Sequence, residues 1–220
     1  MNLYKTNDTY IVHRFSNREE WLNKRISGIG GSDASALIGM NPYKTNRELW
    51  KQKTGLVEDD FGGNSFTEYG QNAEPLLREL LKLKHPNYDI QHRENCILQS
   101  KDVGWLLYSP DGLIYTQDNR KGILEIKTTF IQNINMYNNW KNQVPNHYYI
   151  QVLHGLLVTG FEFVIFHAEL RFAWERNAEL VTLEFRREDV LEDLEWLKEK
   201  EIKEYQSYLD KKEPNLIIDM

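Results

Sequence analysis

The chain has 220 residues, of which 40% are hydrophobic and 27% are charged, and its formal net charge is -6. This length and apolar content can bury one substantial core, and length alone allows one or two domains. The single cysteine, Cys96, excludes an internal disulfide and any cysteine-built zinc or iron–sulfur site. No linker rich in Gly, Ser or Pro divides the sequence, so we predict one domain over residues 1–220.

The acidic net charge argues at first against a nucleic-acid partner, because non-specific duplex binding usually relies on clustered Lys and Arg. Much of the acid, however, falls in a predicted C-terminal helix over about residues 187–211, which we interpret as a solvated face. An early cationic group offsets it and consists of Lys44, Arg47, Lys51 and Lys53. The N-terminus lacks the apolar core of a signal peptide and no run reaches membrane-spanning length, so we expect a cytoplasmic protein without a membrane partner.

Short helices are predicted in the first quarter of the chain. Ser16 and Thr45 each precede a glutamate by three residues, which is the spacing of a capping box. Between them, Ser32 predicts an N-cap and Gly39 a glycine stop, with a short helix from one to the other.

The start of that short helix is a candidate anion site. Free backbone N–H groups at a helix start attract phosphate, and the glycines at 28, 30 and 31 would allow a close approach. Arg25 could add a bidentate clamp. An ordinary glycine-rich loop capped by Ser32 is the alternative interpretation.

A longer helix is predicted over about residues 66–84, after a flexible loop from Gly55 to Asn64. Glu74 shares one helical face with Leu77 and Leu81, so its carboxylate should point inward. The alternative is that Pro75 occupies the first helical turn and Glu74 only caps it.

Strands dominate the middle of the chain. They are predicted near residues 94–99, 103–108, 112–116 and 121–128, with a turn over 117–120. A helix at about 146–159 separates them from later strands at 161–168 and 180–185. This order predicts an α/β fold with a central mixed sheet flanked by helices.

Two polar motifs lie on these strands. Asp111 stands in the turn Ser-Pro-Asp-Gly, and Glu125 and Lys127 lie two residues apart on one face of a strand whose other face carries Leu124 and Ile126. Carboxylates are the ligands that Mg²⁺ prefers, and bound metal activates water and stabilises phosphate charge. Lys127 could orient that water, and burial can lower the pKa of a lysine. The alternative is a common turn followed by a solvated strand face.

The helix at 146–159 places His147, Gln151 and His154 on one face. Two histidines seven residues apart could suggest zinc, but no further ligand has the usual spacing. We therefore expect the histidines to face solvent or DNA beside Gln151. Among the aromatic residues, Tyr137 and Trp140 are the best candidates for stacking on unpaired bases.

Taken together, the motifs resemble the YqaJ-type viral recombinase family, which includes the phage lambda exonuclease and belongs to the PD-(D/E)XK nucleases. The resemblance covers residues of about 20 to 160, with agreement in order and spacing. The segments that carry it are Trp21 to Arg25, Gly28 to Ser35, Asn41 to Thr45, Gly70 to Glu74, Ser109 to Gly112, Leu124 to Lys127, and Gln151.

The resemblance implies a restriction-endonuclease-like core and a metal-dependent deoxyribonuclease. Such an enzyme would digest duplex DNA from a 5′ end and leave a single strand for an annealing protein. By resemblance, Asp111 and Glu125 would be metal ligands and Lys127 the catalytic lysine. Glu74 would organise the metal site, directly or indirectly, and Gln151 would lie beside it.

The same resemblance implies binding partners. Arg25, Ser32 and Ser109 match positions that hold the 5′-phosphate of a double-stranded DNA end. Mg²⁺ would be the cofactor, with Mn²⁺ as the alternative. The chain would form a homo-oligomer, a ring-shaped trimer, and act with a single-strand-annealing protein in a bacterial or phage-infected cell.

Two other functions are compatible with these residues. One is an endonuclease of the same fold, which sequence separates poorly from an exonuclease. The other is a non-catalytic DNA-binding or assembly module, against which the intact set of Asp111, Glu125 and Lys127 argues.

Overall fold

The computed structural model describes residues 1–57, 65–141 and 143–217. Its strands are β1 (Tyr10–Arg14), β2 (Tyr88–Gln91), β3 (Cys96–Ser100), β4 (Leu107–Tyr108), β5 (Gly112–Thr116), β6 (Lys121–Ile131), β7 (Phe163–Phe172) and β8 (Glu179–Arg186). Its α-helices are α1 (Arg18–Ile26), α2 (Gly31–Leu37), α3 (Asn46–Lys53), α4 (Ser65–Lys84), α5 (Ile134–Asn138), α6 (Asn146–Thr159) and α7 (Leu191–Leu209), and a 3-10 turn, Arg187–Val190, precedes α7.

A five-stranded mixed sheet in the order β2-β5-β6-β7-β8 forms the centre of the molecule. β6 and β7 are parallel, and the other neighbouring strands are antiparallel. The chain segment between the two parallel strands contains α6, as expected for a crossover connection. The predicted α/β architecture with a mixed sheet is therefore confirmed, and a smaller antiparallel sheet, β1-β3-β4, accompanies it.

Helices cover both faces of the central sheet. On one face, α4 packs Leu77 and Leu81 against Leu124 and Ile126 of β6. The opposite face belongs to the larger core, in which α6 contacts α2, α7 and the small sheet. The alternation expected for β6 is confirmed, since Leu124 and Ile126 are buried among apolar side chains.

The helix starts differ in detail from the predictions. Thr45 caps α3 through the predicted box with Glu48. The first box was predicted one residue too early, because Asn17 and not Ser16 caps α1.

Ser32 was predicted as the N-cap of α2, but Gly30 holds that position. The carboxylate of Asp33 accepts the backbone N–H of Gly30 at 3.1 Å. An internal acid thus satisfies one amide that an external anion would need. The predicted glycine stop is confirmed, since Gly39 has a φ of 78°, where a side chain would be strained.

α4 begins at Ser65, so Pro75 lies inside the helix and the interpretation of Glu74 as a cap is wrong. The predicted loop from Gly55 to Asn64 falls mostly on residues 58–64, which lie outside the described residues. The sequence did not predict β1, β2 or α5.

Several surface predictions are also wrong. His154 and Glu201 are both fully buried, so neither faces solvent or DNA. Trp140 is only 3% exposed and packs against Phe166, which places it in the core. In the part of the chain that the structure describes, no helix is both long and apolar enough to cross a membrane.

The early cationic group is not an open basic patch either. Lys53 is buried against Asp33, with 2.6 Å between Nζ and Oδ2. Arg47 and Lys51 both pair with Glu213 from the C-terminal segment.

Candidate active site

The candidate site lies where β5 begins and where the pairing of β5 with β6 ends. Gly112 is paired with Leu124, so Asp111, one residue earlier, comes opposite the next part of β6. Its Oδ2 accepts the backbone N–H of Ile126 at 2.7 Å. The turn motif and the strand motif, 15 residues apart in sequence, are thus brought together.

Glu125 and Lys127 share a face of β6, as predicted, and their side chains contact each other. The side chain of Glu125 is 1% exposed, and its two oxygens accept from three donors. Tyr108 donates to Oε2 at 2.6 Å, while Gln151 and Lys127 donate to Oε1. A buried carboxylate is costly unless it is hydrogen-bonded, and this one is.

Asp111 has a less favourable environment than Glu125. Burial, and then the charge of Glu125, raise the pKa of Asp111 well above its ordinary value. Burial alone would lower the pKa of Lys127, but the carboxylates of Glu125 and Asp111 raise it instead. The lowered lysine pKa that the sequence suggested is therefore wrong, and Lys127 is a cation at neutral pH.

Tyr108 is one of the aromatic residues that the sequence places near the site, but its contact with Glu125 was not predicted. Burial, and then the Glu125 carboxylate, raise the pKa of Tyr108, so its hydroxyl remains a hydrogen-bond donor. Close packing locks this side chain in place, since a Cβ added at Gly31 of α2 would lie 3.1 Å from both the Tyr108 ring and Gln151.

Glu74 reaches the site from α4. Its side chain is 32% exposed, so it points to the cleft and is only partly inward. It accepts from Arg78, whose Nε also donates to the backbone oxygen of Asp111 at 2.9 Å. Arg78 was not identified from the sequence, although its spacing of four residues from Glu74 on a helix is a usable signal. His92 makes a second contact to the same Asp111 oxygen, at 3.0 Å.

The three predicted phosphate-binding residues line one cavity of about 870 Å³ together with Glu74, Asp111, Lys127 and Gln151. Arg25 donates to Ser32 Oγ at 2.9 Å, and its guanidinium lies 4.7 Å from the centre of the Trp21 ring. Ser109 lines the same cavity, and its hydroxyl donates to the backbone oxygen of Cys96 at 2.9 Å. We call this space the cationic cavity.

The residues of the site fit a divalent metal held by few protein ligands. The donors are carboxylate oxygens, which hard cations prefer, and a cation would offset the repulsion that raises the pKa of Asp111. Within residues 1–57, 65–141 and 143–217, no three His, Cys, Asp or Glu side chains cluster as a metal cage. Two protein carboxylates completed by water would suit Mg²⁺, which keeps several of its waters.

The site sets an acidic turn residue against a Glu-x-Lys strand on a mixed α/β core, as expected from the resemblance to the PD-(D/E)XK nucleases. The chain matches the model of the YqaJ-like viral recombinase domain over residues 20–162. It belongs to that family.

Relatives and solved structures agree with this assignment. The chain is 33% identical over 180 residues to the uncharacterised protein YqaJ of Bacillus subtilis, covering 78% of this chain and 54% of that protein. It is 26% identical over 159 residues to protein D345L of African swine fever virus, covering 64% of this chain and 45% of the relative. The chain thus spans about half the length of these curated relatives.

Two solved structures share the fold. An alkaline exonuclease from Laribacter hongkongensis matches with a TM-score of 0.62 and 17% identity, over 87% of this chain and 94% of that one. A phage-related exonuclease from Haemophilus somnus matches with a TM-score of 0.51 and 13% identity, over 84% and 96%. The Laribacter enzyme has also been solved in complex with dAMP.

Proposed function

We propose that the chain is a metal-dependent deoxyribonuclease that digests double-stranded DNA from its 5′ ends. The observation that carries this proposal is the contact of Glu125 with Lys127 beside Asp111 in an accessible cleft. The names of the solved neighbours, both exonucleases, support the same activity.

Each site residue has a chemical task in this proposal. Asp111 and Glu125 would hold Mg²⁺, or Mn²⁺ as the alternative, and the metal would activate water and stabilise charge on the phosphate. Lys127, kept cationic by the two carboxylates, would orient the water or offset phosphate charge. Gln151 and Tyr108 fix the position of Glu125 through their hydrogen bonds.

Glu74 would act on the metal site indirectly. Its partner Arg78 is 7% exposed and holds the backbone of Asp111, so the pair connects α4 to the turn that carries the acid. Loss of Glu74 would free a buried cation next to that turn.

The cationic cavity supports recognition of a 5′ end. Arg25 is fixed by Ser32 and Trp21, and in the described residues no carboxylate oxygen lies within 4.0 Å of its guanidinium. A guanidinium held in this way suits a phosphate. Because the same cavity reaches Asp111 and Lys127, a terminal phosphate at Arg25 would place a neighbouring phosphodiester at the metal site.

Digestion of linear duplex DNA, labelled separately at each 5′ and 3′ end, tests the activity and its direction. With Mg²⁺ we expect release from the 5′ label, no release with EDTA, and no cutting of a covalently closed circle. Rapid cutting of the circle would favour the endonuclease alternative. No cleavage with any divalent metal would favour a non-catalytic DNA-binding module.

The variant Arg25→Ala tests the phosphate pocket. It should slow digestion of 5′-phosphorylated ends more than that of 5′-hydroxyl ends, by roughly tenfold, as expected for loss of a charge-assisted hydrogen bond. An equal loss on both ends would refute the pocket. Arg186→Ala, which removes an exposed arginine outside the cationic cavity, is the control.

Further partners are part of the proposal. Resection of this kind serves recombination by single-strand annealing, so an annealing protein is the expected partner. A homo-oligomer, such as a ring of three copies around the DNA, would keep the enzyme on its substrate. Mass measurement in solution, with and without duplex DNA, tests the oligomer, and a monomer under both conditions would contradict it.

A further inference from the structure

A second cavity adjoins the candidate active site and shares part of its lining with the cationic cavity. It measures about 720 Å³, and five of its lining residues also line the cationic cavity: Thr67, Gln71, Glu74, Asp111 and Lys127. The other walls differ, because this cavity is bounded by aromatic rings and one arginine, Arg171. We call it the aromatic cavity.

Arg171 lines the aromatic cavity together with Lys127. It lies on β7 directly opposite Phe130 of β6. Its guanidinium stacks 3.4 Å from the centre of the Tyr69 ring, and it also lies 5.9 Å from the centre of the Phe130 ring.

Stacking holds the guanidinium without neutralising it. The buried Nε of Arg171 has no hydrogen-bond partner among the described residues, and none of their carboxylate oxygens lies within 4.0 Å of its guanidinium. The nearby carboxylate of Glu169 is instead bonded to the Tyr69 hydroxyl at 2.7 Å. A stacked arginine with free donors is suited to a phosphate group.

Tyr43 stands at the mouth of the aromatic cavity. Its side chain is 77% exposed, which is unusual for so large a ring. The Asn41 side chain fixes the turn by accepting the backbone N–H groups of Tyr43 and Lys44 at 2.8 and 3.0 Å. An exposed aromatic ring on a turn with a fixed backbone can stack on a base.

The two cavities meet at the residues that they share, among them Asp111 and Lys127. A phosphodiester bound there would have its two flanking nucleotides in different cavities, one in each. If the terminal 5′-phosphate occupies the cationic cavity, the 3′ flank of the cleaved bond occupies the aromatic cavity.

We propose that the aromatic cavity binds the nucleotide on the 3′ side of the cleaved bond, with Arg171 contacting the phosphate that follows this nucleotide. Tyr43 then packs against the same nucleotide at the cavity mouth. This inference rests on the proposed exonuclease function and extends it by a second strand-binding site.

A neutral methylphosphonate placed at one linkage tests the contact without altering the protein. In single-turnover digestion of a 5′-phosphorylated duplex, we expect a methylphosphonate at the second linkage to slow the first cleavage roughly tenfold, as for a lost charged hydrogen bond. The same group at a linkage several nucleotides further on should have little effect. Equal effects at both positions would overturn the proposal.

Arg171→Gln completes the test. It should slow cleavage of unmodified duplex by a similar factor and lose its sensitivity to the methylphosphonate at the second linkage. A variant that remains as sensitive as the wild-type protein would overturn the assignment of Arg171. Should Arg171→Gln fail to fold, Arg171→Lys and the wild-type substrate series decide the question.

Arg176 provides a matched control. It is also stacked on two rings, Tyr137 and Phe172, but it is paired with Glu179 and lies outside the aromatic cavity. Arg176→Gln should cleave both substrates as the wild-type protein does. If the wild-type protein cannot digest unmodified duplex at all, the proposed function fails, which is distinct from a failure of this inference.

Discussion

Asp33 and Asp111 are two acids in buried parts of the molecule with opposite electrostatic surroundings. Burial alone would raise the pKa of Asp33, but Lys53 and Arg25 lower it below its ordinary value. At Asp111, burial and the charge of Glu125 act in the same direction and raise the pKa. Lys53 and Arg25 offset the charge of Asp33, whereas Asp111 has too little positive charge around it.

The contrast separates a buried acid whose charge is offset within the protein from one whose charge is not. Lys53 contacts Asp33 directly, whereas Lys127, the cation nearest to the candidate metal site, is bonded to Glu125. A divalent cation would supply the charge that Asp111 lacks. We therefore expect the two acids to respond in opposite ways to the same substitution.

Asp111→Asn should give the largest effect. We expect cleavage to fall by about 10³-fold or more, because metal stabilisation of the transition state is worth several kcal/mol. The melting temperature at pH 8 should stay the same or rise, since the raised pKa means that the charged form destabilises the fold. Cleavage kinetics and calorimetry measure the two quantities, and undiminished cleavage would contradict the assignment.

Asp33→Asn should mainly affect stability. Removing one partner of a buried ion pair leaves the charge of Lys53 uncompensated, at a cost of about 3–5 kcal/mol in the free energy of unfolding. Denaturation in urea measures it. Asp118→Asn, which alters an exposed pair with Arg120, should leave the free energy of unfolding nearly unchanged. Similar losses in both variants would contradict the special role of the buried pair.

A second buried pair allows a pH test. His154 lies between two acceptors, with 2.7 Å from Nδ1 to Glu201 and 2.9 Å from Nε2 to the Leu107 oxygen, so both ring nitrogens carry protons. Burial would lower the pKa of His154, but Glu201 raises it. Its stabilising contribution is therefore complete below an ordinary histidine pKa of about 6.5 and is lost as pH rises through the folded value.

Glu201→Gln should remove that contribution. We expect a loss of about 1.5–3 kcal/mol near pH 6 that becomes smaller toward pH 9. Urea denaturation across this range measures it, with the exposed Glu199→Gln as control. A loss that is independent of pH would mean that the histidine is neutral.

Local patterns predicted the residues that meet at the candidate site better than they predicted the residues around them. The spacing of Glu125 and Lys127 on a strand and of Asp111 in a turn depends on neighbouring residues, and the structure brings all three together. The contacts of Tyr108 with Glu125 and of Arg78 with Asp111 depend on how distant elements pack, which no local pattern reveals.

The errors have a common physical cause. His154 and Glu201 each looked like solvated polar residues on their own helices, and only the packing of α6 against α7 pairs them across 47 residues. The same holds for Lys53, which looked like part of a basic patch and is held by Asp33. At α2, the side chain of Asp33 accepts the N–H of Gly30, so the helix is capped at Gly30 and not at Ser32, where the cap was predicted.

The most direct test is whether the candidate site formed by Asp111 and Glu125 binds a divalent cation in the absence of DNA. The melting temperature of the wild-type protein should rise progressively with Mg²⁺, since a ligand that binds only the folded state stabilises it. The Asp111→Asn variant should show no rise beyond that given by NaCl at equal ionic strength. An identical Mg²⁺ response in both proteins would contradict the metal site on which the proposed function depends.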